Sequence, residues 1–347
     1  MKCPDCSTIH KYKEGMVCIC GYRFALDPKQ PPNISDIVLK NAVDKVSDNH
    51  TYYFTYNQLY AQVYRAIKKM KRKERIAFTI FTCVSAGFVL FFFTLAVGRM
   101  PAWLYALLII VILLRAFRKI NILQDMIVEV IETYNQAHPI KSLADGKQLH
   151  RIDIREFDKD MFQHAPEHIL IVERDDIAEM LILNRFYLEN KTLVVSANKY
   201  PDVAFRAYKS FIAKYPDIPV AILHDASRHG HHMMNRLIED KAWELEGKNI
   251  TDLGLSPSDV VRLKRPIWMT AEKTTLSERS QISPGKSSVE NIEKGLVMPV
   301  DIAPPTAMMG TVTLAVMTGY ALLSEELLAE QGRAAVDSGA SSGGGYG

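Results

Sequence analysis

The sequence predicts an α/β protein whose main domain is built on a parallel β-sheet. Two short apolar runs, Ile169 to Val172 and Val220 to Leu223, are rich in Ile and Val, as is typical of parallel strands buried on both faces. Each run is followed by a helical pattern, and strands that alternate with helices through short links favour right-handed crossovers. A small Cys-rich ribbon, a helical segment and a two-helix transmembrane hairpin are predicted to precede this sheet.

Length and composition allow several domains. The chain has 347 residues, and its net charge of +3 provides no global basic field that would favour nucleic acid. Five cysteines in a chain of this size do not indicate a disulfide framework. The predicted domains are a zinc ribbon (1–27), a helical segment with a basic end (34–75), a transmembrane hairpin (76–115), a helical stalk (116–145), the sheet domain (160–270), a C-terminal extension (271–331) and a disordered tail (332–347).

Four of the five cysteines lie within the first twenty residues. Cys3 and Cys6 form a C-x-x-C pair, and Cys18 and Cys20 form a C-x-C pair. Two cysteine pairs at turns are typical of a zinc ribbon in which four thiolates bind the metal. Because the second pair is shorter than usual, His10 is an alternative ligand. The zinc is predicted to be structural, since so short a segment cannot bury a core of its own.

The uncharged stretch from Ile76 to Val97 is the strongest physical signal in the sequence. As a helix it would be about 33 Å long, enough to cross a bilayer, and the apolar run from Ala102 to Leu114 would form the return helix. A buried hairpin in a folded core is the alternative. Basic clusters before Ile76 and after Leu114 place both ends in the cytoplasm by the positive-inside rule. The sequence therefore predicts a multi-pass protein of the inner (cytoplasmic) membrane, with both termini in the cytoplasm and the lipid bilayer as a partner.

Apolar residues at helical spacing predict further helices outside the hairpin. An apolar segment over 308–323 is predicted to be a helix packed on protein, with a third membrane segment as the alternative. The other predicted helices cover 34–46, a segment that ends near 73, and 122–134. In the sheet domain the prediction is a strand to 173, a helix over 175–184, a strand over 192–196, a helix over 202–214, a strand over 220–224 and a helix over 229–243.

An acid lies at the end of each of the two apolar runs. Glu173 follows the first run directly, and Asp225 follows the second after one residue. Ligands of parallel sheets collect beyond the carboxyl ends of the strands, so we expect the two side chains to lie close together. Two neighbouring carboxylates are costly unless a cation shares them, which favours a hard ion such as Mg²⁺. The alternative is that both acids are helix N-caps.

Four elements of the sequence occur in a characteristic order: Val172-Glu-Arg-Asp175, Ala197-Asn-Lys-Tyr-Pro-Asp202, Leu223-His-Asp-Ala-Ser-Arg-His-Gly230 and Asp252-Leu-Gly-Leu-Ser-Pro-Ser-Asp259. They resemble the V-E-K-D, G-K-G-[FY]-P-D, D-x-D-P-Y-G and L-G-L-x-P-S-D elements of the Toprim domain in the A subunits of type IIB topoisomerases (topoisomerase VI) and their meiotic relatives. The resemblance covers less than a third of the chain and implies a Toprim-like sheet domain.

The resemblance also implies a site for Mg²⁺ or Mn²⁺ with Glu173, Asp225 and Ser227 as ligands. Glu173 would act as general acid or base, and Asp225 would hold the metal that stabilises charge on a phosphoryl group. Ser227 stands where the family has a second Asp, and a neutral hydroxyl is expected to weaken Mg²⁺ binding. Nearby histidines either favour a softer ion such as Mn²⁺ or Zn²⁺, or belong to a solvated helix start; they are His224, His229, His231 and His232.

Two functions follow from these features. The first is a membrane-anchored cytosolic protein whose Toprim-like domain binds a divalent metal and acts on, or senses, nucleic acid or nucleotide phosphates, with nuclease-like or topoisomerase-like phosphoryl transfer as the expected chemistry. The second is a non-catalytic, membrane-tethered interaction protein that uses a degenerate Toprim fold as a docking surface. Further expected partners are a second copy of the chain or other membrane-associated proteins.

Overall fold

The computed structural model describes residues 1–98, 124–150, 166–263, 266–270 and 287–319. The chain divides into two compact units, one formed by Met1–Ala42 and Gln62–Pro139, the other by Val43–Ala61 and Ile140–Gly347. The helices are α1 (Asp36–Val46), α2 (Tyr56–Val97), α3 (Gln124–Ala137), α4 (Asp175–Leu183), α5 (Phe186–Glu189), α6 (Asp202–Lys214), α7 (Arg228–His231), α8 (Met233–Glu239), α9 (Pro257–Arg262), α10 (Ser288–Glu293) and α11 (Pro305–Thr318). The strands are β1 (Phe54–Thr55), β2 (Leu143–Ala144), β3 (His168–Val172), β4 (Thr192–Ser196), β5 (Val220–Leu223), β6 (Ile250–Asp252), β7 (Met269–Thr270) and β8 (Leu296–Val297).

In the first unit, a buried acid joins the Cys-rich segment to helix α1. The carboxylate of Asp36 is fully buried and accepts hydrogen bonds from the hydroxyl of Tyr22 at 2.8 Å and from the amides of Ala25 and Leu26 at 2.8 and 2.9 Å. The Tyr22 ring stacks on His138, which follows helix α3, with 4.6 Å between ring centroids. The short N-terminal segment is therefore held to two helices by hydrogen bonds and by aromatic packing.

The prediction of a membrane-spanning hairpin and of a membrane localisation is wrong for the part of the chain that the structure describes. Within those residues, no helix combines the length and the apolar character that a bilayer crossing requires. Helix α2 continues without a break from Tyr56 through the basic run 68–75 into the stretch that was predicted to cross the bilayer. The predicted return helix, 102–114, lies outside the described residues.

The second unit contains a sheet of four parallel strands in the order β4-β3-β5-β6. Strand β3 lies in the middle, with Val172 opposite Ser196 of β4 and opposite Leu223 of β5. Strands β3, β4 and β5 are almost entirely buried, which explains why their sequences are continuous apolar runs without alternation. The α/β class and the parallel sheet are therefore confirmed.

Most elements of the sheet unit begin and end close to their predicted positions. Strand β4 and helix α6 have the predicted bounds, whereas the helix predicted over 229–243 is divided into α7 and α8. The edge strand β6 is not among the predicted strands, because Ile250-Thr-Asp252 is short and only partly buried. Helix α2 extends well beyond the end predicted near Lys73, although a run of charged residues usually marks a boundary.

A later segment of the chain returns to the end of strand β5. Ala226 and Met298 form an antiparallel bridge through two backbone hydrogen bonds of 3.0 and 3.1 Å. The residues that follow, Val300 and Asp301, are buried. The Ala226–Met298 bridge therefore places Val300 and Asp301 at the edge of the sheet where strands β3 and β5 end.

A buried carboxylate in helix α4 fixes the segment before strand β3. Glu179 is fully buried and accepts hydrogen bonds from the backbone amides of Asp145, Gly146, Gln148 and Leu149, at 2.6 to 3.2 Å, and from the hydroxyl of Tyr200. These bonds would all be lost if the carboxylate were removed. We therefore regard Glu179 as the anchor of residues 145–149.

Replacement of Glu179 by Ala is expected to lower the free energy of unfolding by about 3 kcal/mol, because buried donors lose their acceptor. Urea denaturation of the full chain measures this effect. The matched control is Glu189→Ala, since Glu189 is an exposed acid in the neighbouring helix α5. Equal stability of the two variants would contradict the anchoring role.

Candidate functional site

The carboxyl ends of strands β3 and β5 bring Glu173 and Asp225 together. The Oε2 atom of Glu173 accepts a hydrogen bond of 2.8 Å from the backbone amide of Asp225. Asp225 is almost completely buried, whereas Glu173 is partly exposed. The two acids are therefore neighbours at the edge of the sheet, and the contact between them runs through the backbone of Asp225.

Arg174, which directly follows Glu173 in the sequence, is the centre of the arrangement. Arg174 donates from Nη1 to Asp225 Oδ2 at 2.8 Å, from Nε to Asp176 Oδ1 at 3.0 Å, and from Nη2 to Asp301 Oδ2. The three acids come from three separate parts of the chain. We call Arg174, Asp176, Asp225 and Asp301 the arginine cluster.

Backbone and side-chain donors complete the hydrogen bonding of the buried acids in the arginine cluster. Asp225 Oδ1 accepts from the amide of Val300 at 2.8 Å. Asp301 has no exposed surface, and it also accepts from Thr55 Oγ1 at 2.5 Å and from Asn57 Nδ2 at 3.3 Å. Both oxygens of each acid are thus hydrogen-bonded to protein donors.

Burial raises the pKa of Asp225 to about 7. The guanidinium of Arg174 acts in the opposite direction, but the carboxylates of Asp301 and Glu173 add to the effect of burial. The pKa of Arg174 itself is raised, because its three acidic partners outweigh the loss of solvation. Arg174 therefore stays positively charged, and the buried acids Asp225 and Asp301 both interact with this one charge.

A second cation lies beside the arginine cluster. The two ring nitrogens of His224 both face oxygen acceptors, Nδ1 the carbonyl of Asp225 at 2.9 Å and Nε2 the carboxylate of Asp252 at 3.1 Å. Only a ring with a proton on each nitrogen can donate to both. Desolvation lowers the pKa of His224, but the hydrogen bonds to Asp252 and Asp225 outweigh it and the net shift is upward. We infer that His224 is an imidazolium in the folded protein.

Two glycines, Gly230 and Gly254, allow the backbone to pack closely against His224 and the carbonyl of Asp225. A Cβ atom at Gly254 would lie 2.2 Å from the His224 ring, and one at Gly230 would lie 2.2 Å from the carbonyl oxygen of Asp225. Neither position can accept a side chain without a shift of these groups. The glycines of the third and fourth sequence elements therefore serve close packing around the strand end.

The remaining predicted site residues have structural partners. Ser227 is the N-cap of helix α7, and its hydroxyl accepts a hydrogen bond of 2.8 Å from the amide of Gly230. Asp175 accepts from Ser196 Oγ at 2.5 Å. The other histidines of the predicted cluster are exposed on or next to α7 and not gathered around one point; they are His229, His231 and His232.

Three members of the arginine cluster, Arg174, Asp176 and Asp301, are absent from the predicted site residues. Arg174 directly follows the predicted ligand Glu173 and precedes Asp175 and Asp176, and a basic side chain among three acids is a signal for an ion-pair cluster. Asp301 ends the apolar run Leu296-Val-Met-Pro-Val-Asp301, which has the same pattern as the two runs before Glu173 and Asp225. That pattern could have identified Asp301. However, Asp301 lies far from Asp225 along the chain, and the sequence does not indicate that the two residues are neighbours in space.

The residues at the strand ends do not fit a divalent cation in this arrangement. Mg²⁺ requires several oxygen ligands with lone pairs directed at one point. Asp225 is engaged by Arg174 and Val300, and Ser227 caps helix α7, so Glu173 is the one predicted ligand that keeps a second carboxylate oxygen for an ion. Among the described residues, the grouping of acids, histidines and cysteines that could hold a metal lies elsewhere.

That grouping is the set of four N-terminal cysteines. The Sγ atoms of Cys3, Cys6, Cys18 and Cys20 all lie within 4.8 Å of one another, with 3.6 Å for the pairs Cys3–Cys20 and Cys6–Cys18. Tetrahedral zinc with Zn–S bonds of about 2.3 Å places its sulfurs about 3.8 Å apart, so the set can hold zinc. The alternative ligand His10 is not in this set, since its Nε2 atom bonds the carbonyl of Gly15 at 2.9 Å.

Comparison with known proteins agrees with the fold of the sheet unit. Residues 168–296 match the family model for the Toprim domain of Spo11 and of the A subunit of topoisomerase 6. The match supports the predicted Toprim-type domain and ends before Asp301. Toprim domains bind Mg²⁺. The match therefore leads one to expect a Mg²⁺ site at this strand edge, but the side chains found there do not fit one. No curated protein and no solved structure matched the chain.

The raised pKa of Asp225 predicts a specific pH dependence of stability. The folded protein binds the Asp225 proton more tightly than the unfolded chain, whose aspartates titrate near pH 4, so the free energy of unfolding falls as pH rises from about 4 to 7. Urea denaturation at several pH values should show that Asp225→Asn removes about 1–3 kcal/mol of this decrease. Asp217→Asn, at an exposed acid, is the control. An unchanged pH profile in Asp225→Asn would contradict the assignment.

The cysteine set predicts one zinc ion per chain. Elemental analysis of the purified full chain should find stoichiometric zinc, and Cys18→Ser should lose it together with the order of the N-terminal segment, because the metal supplies folding free energy. The control is Cys83→Ser, since Cys83 is an exposed cysteine in helix α2. Full retention of zinc by Cys18→Ser would refute the site.

Proposed function

We propose that the sheet unit is a Toprim-type module that binds nucleic acid without cleaving it. The observation that carries the proposal is the family match over 168–296, whose description names a component of topoisomerase 6 together with Spo11. The closed arginine cluster supports binding over cleavage, because Asp225, the acid expected to hold the metal for phosphoryl transfer, is already engaged by protein donors.

An exposed basic surface next to the strand ends supports this proposal. Helices α7 and α8 follow strand β5 directly. Together with His232 between them, they expose Arg228, Arg236, three histidines in all and one acid, Glu239. Arginine side chains on a surface bind phosphate groups, and histidines add positive charge at lower pH. This surface supplies the local positive charge that the nearly balanced composition of the whole chain does not.

The test is binding of a fluorescently labelled DNA duplex to the full chain, measured by anisotropy at low salt. We expect binding that weakens as salt increases, and about a tenfold loss of affinity in Arg228→Glu, because one phosphate contact is replaced by repulsion. Arg206→Glu is the matched control, since Arg206 is exposed on helix α6.

Two results would refute the proposal. One is the absence of DNA binding by the wild-type chain at low salt. The other is an equal loss of affinity in Arg228→Glu and Arg206→Glu, which would mean that DNA binding depends only on the net charge of the protein.

A further inference from the structure

The arginine cluster contains a cation at the position where three acids from distant parts of the chain converge. Asp176 lies in the first turn of helix α4, Asp225 follows strand β5, and Asp301 follows the segment that bridges to Ala226. Every nitrogen of the Arg174 guanidinium donates to one of these acids. The side chain of Arg174 is 23% exposed, whereas those of Asp225 and Asp301 are 5% and 0% exposed. The cation thus lies over two buried acids and separates them from solvent.

The buried acids of the arginine cluster are satisfied without a metal. The oxygens of Asp225 are bonded by Arg174 and by the amide of Val300, and those of Asp301 by Arg174, Thr55 and Asn57. A divalent ion would have to displace these donors and leave the guanidinium without its buried partners. Breaking a buried ion pair in this way is strongly destabilising, so an ion such as Mg²⁺ is at a disadvantage.

We propose that Arg174 is the resident cation of this Toprim-type site and that it takes the place of a divalent metal. Arg174 is a positioning residue, because its guanidinium holds Asp225 and Asp301 together. The inference goes beyond nucleic-acid binding and is independent of it, since a chain that failed to bind DNA could still hold its acids with Arg174.

The first test is a titration of Mn²⁺ into the full wild-type chain, followed by electron paramagnetic resonance of the free ion. The N-terminal cysteines are first loaded with zinc, so that they do not contribute. We expect no saturable Mn²⁺ binding at the sheet unit at millimolar concentrations. Saturable binding that disappears in Asp225→Asn would overturn the proposal.

The second test compares variants of Arg174 by thermal unfolding. Arg174→Met leaves the buried acids without their cation and should lower Tm by about 10 °C, whereas Arg174→Lys should recover part of this loss, because an ammonium is a point charge that cannot reach all three acids. Arg206→Met is the matched control and should be neutral. A Tm for Arg174→Met equal to that of the control would overturn the proposal, whatever the Mn²⁺ titration shows.

Discussion

The guanidinium of Arg174 is the interaction on which the functional edge of the sheet depends. Strands β3 and β5 end at this edge, and a segment much further along the chain returns to it at Asp301. Each of these parts brings a buried or half-buried carboxylate to the same place, which would be unfavourable without a cation. One arginine resolves this conflict, and in doing so it links the start of helix α4 to the segment before helix α11.

In the unit that matches the Toprim model over 168–296, the predicted metal ligands have protein partners. The hydroxyl of Ser227 caps helix α7. Asp225 keeps its position but uses its oxygens to bind Arg174 and Val300. His224 is held between the carbonyl of Asp225 and the carboxylate of Asp252, and these hydrogen bonds raise its pKa. A site organised in this way is suited to holding the sheet edge in one conformation next to a basic surface, which is what a binding module requires.

The parts of the fold that could be predicted from the sequence are those set by local patterns. Strand β4 and helix α6 follow from runs of apolar residues and from helical spacing, and the cysteine set follows from the spacing of Cys3, Cys6, Cys18 and Cys20. The arginine cluster could not be predicted in the same way, because it depends on contacts between residues far apart in the sequence, such as Arg174 and Asp301. The membrane prediction rested on the uncharged stretch 76–97, and no helix among the described residues has the length and apolar character of a membrane span.

The most direct test of the central claim is a double-mutant cycle between Arg174 and Asp301. Free energies of unfolding are measured for the full chain with Arg174→Met, with Asp301→Asn and with both changes. If the two side chains form the ion pair that joins the two distant segments, the effects will be non-additive by about 2 kcal/mol, because the second change costs little once the first has removed the pair. Additive effects, within about 0.5 kcal/mol, would contradict the account.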